Sequence, residues 1–131
     1  MRNKIILDSG SSTKLFCNKN YCKQNKKTKD PIDIHTNAGI IQVKESCQVP
    51  HIGKSYYAKD TMTNIIGLAD MRKKFRITYD SDKEAAFLVH TPSKIIKFPE
   101  TSEGIYALDM KHKNKYEDRK IKIRKNQILF T

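Results

Sequence analysis

The apolar run Ile5-Ile6-Leu7 ends in Asp8-Ser9-Gly10-Ser11, and this junction constrains the fold more than any other segment of the chain. Three aliphatic residues in a row read as a short buried strand over Lys4 to Leu7. A hydroxyl residue and a glycine directly after the aspartate favour a sharp turn, with Gly10 letting the backbone bend tightly. The result is a carboxylate at the tip of a turn, carried on a buried strand. Asp-Ser-Gly turns are also common on protein surfaces, so the motif alone leaves an ordinary turn open beside a catalytic one. It occurs once. One carboxylate cannot be acid and base together, so the catalytic reading requires a second chain.

The rest of the chain reads mostly as short strands. Thr13 to Cys17 leaves the Asp8 turn. Asn18 to Asp30 is polar, lysine-rich and almost free of apolar residues, which predicts a surface loop with one helical turn near Tyr21, closed by Pro31. Ile32, Ile34 and Thr36 alternate with Asp33 and His35; after Asn37-Ala38-Gly39, Ile41 and Val43 alternate with Gln42 and Lys44. That pattern predicts a β-hairpin whose return strand runs on through Cys47 and Val49 to Pro50. Ile52 to Ala58 predicts another strand pair or a bent strand. Asn64-Ile65-Ile66-Gly67 predicts a strand ending at the glycine, with a short helix over about 68–74. Phe75–Tyr79, Ala86–His90 and Ile95–Phe98 read as strands, and Glu103 to Leu108 as a last apolar stretch. The sum is an all-β domain with one short helix.

Composition narrows the function classes. With 131 residues, 37% hydrophobic content and no Trp, the chain supports one small core. No apolar run approaches the ~20 residues of a membrane-spanning helix, and Ile5-Ile6-Leu7 is too short for a signal peptide. The expectation is a cytosolic or nuclear protein without a membrane segment. Cys17, Cys22 and Cys47 make an odd count of three with no Cys-x-x-Cys, so reduced thiols are expected and no metal site is. His35, His51, His90 and His112 are scattered, and no supporting motif surrounds a Cys47 pair with His35 or His51. The net charge of +12 is uneven: residues 111–131 hold eight Lys or Arg against Glu117 and Asp118, and Lys23, Lys26, Lys27 and Lys29 form a second cluster. Both clusters suit a solubilising role or contact with nucleic acid.

Ile6-Leu7-Asp8-Ser9-Gly10-Ser11-Ser12, the hairpin around Asn37-Ala38-Gly39, and Asn64-Ile65-Ile66-Gly67 follow one another as in a retropepsin monomer. The Asp-Ser-Gly form and the later Glu103-Gly104-Ile105-Tyr106-Ala107-Leu108-Asp109 resemble copia-type retrotransposon polyproteins. The resemblance covers residues 4–109. It implies a retropepsin-like acid protease monomer, with a closed, barrel-like sheet, a flap hairpin and one short helix. Residues 1–109 would be the protease domain. Residues 110–131 would be a basic tail, a remnant of the segment preceding integrase.

Carried onto this sequence, the resemblance makes Asp8 the catalytic carboxylate, Ser9 a bracing hydroxyl and Gly10 the turn glycine. Ser11 stands where the family usually has Ala, and Ser11 and Ser12 offer donors near the carboxylate. His35, Thr36, Asn37, Ala38, Gly39 and Ile40 become the flap tip; Ile65, Ile66 and Gly67 become structural support. The implied activity is peptide hydrolysis by a homodimer, with a peptide or polyprotein substrate, no cofactor and no metal. Two carboxylates in contact cannot both ionise easily, so they share one proton: one activates water and the other donates to the carbonyl oxygen. None of Asp30, Asp33, Asp60, Asp70, Asp80 or Asp82 lies in an Asp-Ser/Thr-Gly context, which leaves a second copy of the chain as the source of the partner carboxylate. The competing expectation is an inactive retroelement remnant that binds nucleic acid through its basic tail.

Overall fold

A computed structural model describes residues 2–36 and 39–110. Ten strands and one short helix follow in order: β1 (Lys4–Asp8), β2 (Lys14–Phe16), β3 (Lys23–Thr36), β4 (Gly39–Val49), β5 (Gly53–Tyr57), β6 (Asn64–Gly67), α1 (Leu68–Lys74), β7 (Arg76–Tyr79), β8 (Ala86–His90), β9 (Ile95–Pro99) and β10 (Tyr106–Asp109). The mostly-β expectation with one short helix holds. Seven strands form one sheet in the order β10-β1-β6-β2-β5-β4-β3, and β7-β8-β9 form a second. β1 runs parallel to β6, and β2 parallel to β5; the other pairings are antiparallel. Among the described residues no pairing joins β10 to β3, so the large sheet has two ends.

Alternation explains how the layers meet. Ile5 and Leu7 of β1 point to the buried face, as do Ile96 and Phe98 of β9. They join Phe16, Ile66, Val89 and the helix residue Met71 in one core cluster drawn from both sheets. The helix begins directly after Gly67, carries Asp70 in its first turn and ends in Arg72, Lys73 and Lys74, a charge order that suits the helix dipole. A salt bridge of 2.8 Å from Lys14 to Asp70 ties α1 to β2. No helix among the described residues is long and apolar enough to cross a membrane.

The main departure from the sequence reading lies between Asn18 and Asp30. One 3-10 turn occupies Lys19–Tyr21, close to the helical turn expected there. From Lys23 onward, however, the chain is strand, not loop: β3 runs 14 residues along β4. A strand needs a partner for its backbone groups, not apolar side chains. At the sheet edge, where Lys23, Lys26, Lys27 and Lys29 are exposed, the hydrophobic alternation that signals a half-buried strand has no reason to exist. The register shifts between Lys23 and Lys26 and again between Lys27 and Ile32, and Gln24 takes a left-handed φ of 55°. These irregularities mark the strand as bulged.

Candidate active-site turn

β1 is held on both sides, by β10 and by β6, and its buried Ile5 and Leu7 fix its depth in the core. Asp8 is therefore delivered from a rigid strand at the point where the pairing ends, opposite Gly67 in parallel register. The carboxylate is partly exposed, and Ser9 and Gly10 beyond it are exposed. The Gly10 N–H donates to Asp8 Oδ1 at 2.9 Å, and the Ser11 N–H donates to the Asp8 carbonyl oxygen at 3.3 Å. The turn thus braces one carboxylate oxygen from the backbone, and a charged acceptor strengthens such a bond.

Ser11 acts differently from the expectation. The Ser11 hydroxyl donates to the Thr13 carbonyl oxygen, and the Thr13 N–H donates to Ser11 Oγ, both at 3.3 Å. Ser11 therefore closes the loop on itself and does not supply a donor to the carboxylate. Its backbone lies against β6.

The support residues divide by strand alternation. Ile66 is fully buried in the core, while Ile65 faces the other side and is only partly buried. Gly67 donates its N–H to the Thr13 carbonyl oxygen at 2.9 Å. A Cβ built on Gly67 would overlap the Ser11 carbonyl oxygen and lie 3.0 Å from the Ser11 carbonyl carbon and 3.1 Å from the Thr13 nitrogen. Those neighbours are backbone, so either strand or turn must shift. Gly67→Ala is expected to cost about 2 kcal/mol by overpacking, seen as a lowered Tm, and to reduce any Asp8-dependent activity more than tenfold by displacing the turn.

Asn64 is the residue whose role the sequence reading missed. It is fully buried, and all of its amide groups are used. Its Oδ1 accepts from the N–H groups of Cys17 at 2.9 Å and Asn18 at 3.1 Å. Its Nδ2 donates to the carbonyl oxygens of Arg2 at 2.8 Å and Lys4 at 2.9 Å. One side chain so joins the entry to β1, the exit from β2 and the start of β6. An asparagine directly before an Ile-Ile-Gly strand was the available signal, since a buried amide there must be satisfied.

The hairpin expected around residues 35–40 is present. His35 pairs with Ile40 and Thr36 with Gly39, whose φ is 125°. Ile40 is 64% exposed at this end of the hairpin. Asn37 and Ala38, the rest of the expected tip, lie outside the described residues, as does the basic segment 111–131.

The other candidate groups are engaged elsewhere. Asp70 is bound to Lys14, and Asp80 Oδ1 accepts from the Asp82 N–H at 3.1 Å. His51 Nδ1 meets Ser93 Oγ at 2.8 Å, and His90 Nε2 meets Thr78 Oγ1 at 2.8 Å. Cys47 lies against Cys22. Among the described residues no hydrogen bond joins Asp8 to another carboxylate, and no group of three His, Cys, Asp or Glu is placed to hold a metal ion. Among the described residues, cavities of about 500, 220 and 540 Å³ open on the surface, and Asp8 does not line these three. The turn presents one carboxylate, braced and partly exposed. Set against known proteins, the chain matches no family model and no curated protein.

Proposed function

We propose that the chain is an aspartic endopeptidase that acts as a homodimer, with Asp8 of each copy forming one half of a carboxylate dyad. The observation that carries this reading is the Asp8 turn itself. A carboxylate at the end of a core strand has one oxygen braced by the Gly10 N–H, and Gly67 packs so closely behind the turn that a Cβ has no room. The resemblance to retropepsins adds the reaction and the fold family, with a copia-type polyprotein as the substrate class and the cytoplasm as the setting. A two-fold dimer would bring the two Asp8 turns together on its axis, with the substrate cleft between the copies. In that cleft a water held between the two carboxylates attacks the scissile carbonyl carbon. The ionised Asp8 takes the water's proton, and the protonated Asp8 gives its own to the carbonyl oxygen. The β3–β4 hairpin, with exposed Ile40 near its end, would close over an extended, largely apolar peptide.

The test is cleavage of a peptide library as a function of chain concentration, alongside sedimentation of the same samples. Below the dimerisation constant the rate is expected to rise with the square of concentration, and a pepstatin-like inhibitor to abolish it. Full activity from a chain that sediments as a monomer would overturn the dyad.

A second reading, an inactive basic module that binds nucleic acid, draws on the exposed lysines along β3. It is favoured if no peptide is cleaved at any concentration while RNA or DNA binds with an affinity that falls steeply with salt.

A further inference from the structure

Cys22 and Cys47 are both buried free thiols within the core cluster. Cys22 is extended and directly precedes β3; Cys47 lies two residues before the end of β4. Lys23 pairs with Gln48, so the same register sets Cys22 opposite Val49 and makes Cys47 its diagonal neighbour on one face of the sheet. Diagonal neighbours in an antiparallel pair lie within reach of one another. The two thiols are joined by a hydrogen bond, which raises Cys22, aided by burial, and draws Cys47 below its ordinary value against the opposing effect of burial. Cys17 differs: burial raises its thiol, and its side-chain partner is Thr61.

We propose that Cys22 and Cys47 form a redox modification site, at which a peroxide converts the thiol pair to a disulfide across the root of the β3–β4 hairpin. This goes beyond the peptidase reading and holds whichever function the Asp8 turn has. In the first step the Cys47 sulfur, as thiolate, attacks one peroxide oxygen. The O–O bond breaks, and the departing hydroxide takes up a proton as water, leaving a sulfenic acid on Cys47. The Cys22 sulfur then attacks the Cys47 sulfur, the S–O bond breaks, and the hydroxide leaves with the Cys22 proton as a second water. Two electrons pass from the sulfur pair to the peroxide. Tyr21, Lys23 and Val49, the residues beside and opposite Cys22, are among those lining the cavity of about 500 Å³. A dithiol reductant reverses the change.

The disulfide would enclose β3 and most of β4, from Lys23 to Ser46, in a covalent loop. Cross-linking a loop of this size removes denatured-state freedom. The full chain, treated with hydrogen peroxide, alkylated in denaturant and digested with trypsin without reductant, is expected to yield the segment 20–23 joined to the segment 45–54. Its Tm is expected to rise on the order of 10 °C and to fall back on reduction. Cys17→Ser keeps both results; Cys22→Ser loses both. The proposal is overturned if both thiols remain open to alkylation after peroxide treatment, or if Cys17 appears in the cross-link. Peptide mapping of the wild-type chain decides this even if Cys22→Ser does not fold.

Discussion

Replacing Asp8 with Asn is expected to remove peptide cleavage, by about a thousandfold or more, while leaving the fold and the dimer unchanged. Asn keeps the shape of the side chain and an oxygen that can accept from the Gly10 N–H at the position now occupied by Asp8 Oδ1. What it loses is the ability to take a proton from water or to give one to a carbonyl. Positioned general acid–base groups contribute about 10²- to 10⁴-fold each, and in the proposed homodimer the substitution changes both members of the dyad together. Sedimentation and thermal unfolding should match those of the wild type, which separates lost chemistry from lost structure. The proposed two-fold site has a further consequence. Adding an equal amount of the Asp8→Asn chain to a fixed amount of wild type, with time to exchange, should halve the activity, because mixed dimers carry only one carboxylate. Cleavage that survives the substitution would show that the turn is only a turn.

Asn64→Ala is expected to have the largest effect on stability. The substitution removes the partner of the Cys17 and Asn18 N–H groups and the donor to the Lys4 carbonyl oxygen around a small void, and leaves the Arg2 carbonyl oxygen with the Asn18 side-chain amide alone. Leaving buried polar groups unpaired costs about 1–3 kcal/mol each where no relaxation or water rescues them. With partial rescue the total should be about 4 kcal/mol, a fall in Tm on the order of 20 °C, measured by thermal unfolding followed by circular dichroism. Asn64→Asp tests the mechanism and not merely the volume. Its second oxygen would face two carbonyl oxygens that now accept hydrogen bonds, so a near-identical shape should still be strongly destabilising. An Asn64→Asp chain as stable as the wild type would show that the four bonds matter little.

The residues that could be read in advance share a property: their environment writes itself into the local pattern. Ile5 and Leu7 must be apolar because they enter the core, Gly67 must be small because the Ser11 backbone lies against it, and the helix begins where the strand pattern ends. The lower half of β3 was not legible because an edge strand flanked by water makes no demand on side-chain polarity. Asn64 could be read as part of a strand but not as a junction, because its four partners are backbone groups of residues far away in sequence. For the candidate site, Asp8 and Gly10 stand in the braced arrangement that their types suggest, whereas Ser11 turned out to close its own loop onto Thr13. The partner carboxylate has no position in one chain at all, since the peptidase reading places it on a second copy.

The lysines of β3 have a consequence apart from any ligand. Among the described residues β3 ends the seven-stranded sheet, so the outward backbone donors and acceptors along this bulged, 14-residue strand have no strand partner. Such edges recruit like edges from other molecules and grow into aggregates. Lys23, Lys26, Lys27 and Lys29 set four positive charges along that edge, and Pro31 interrupts its row of donors. Two of these edges repel before they can zip together. The same cluster that looks made for a polyanion therefore also keeps copies of the chain from stacking edge to edge. A polyanion that neutralised it would lift that protection where many chains are crowded together.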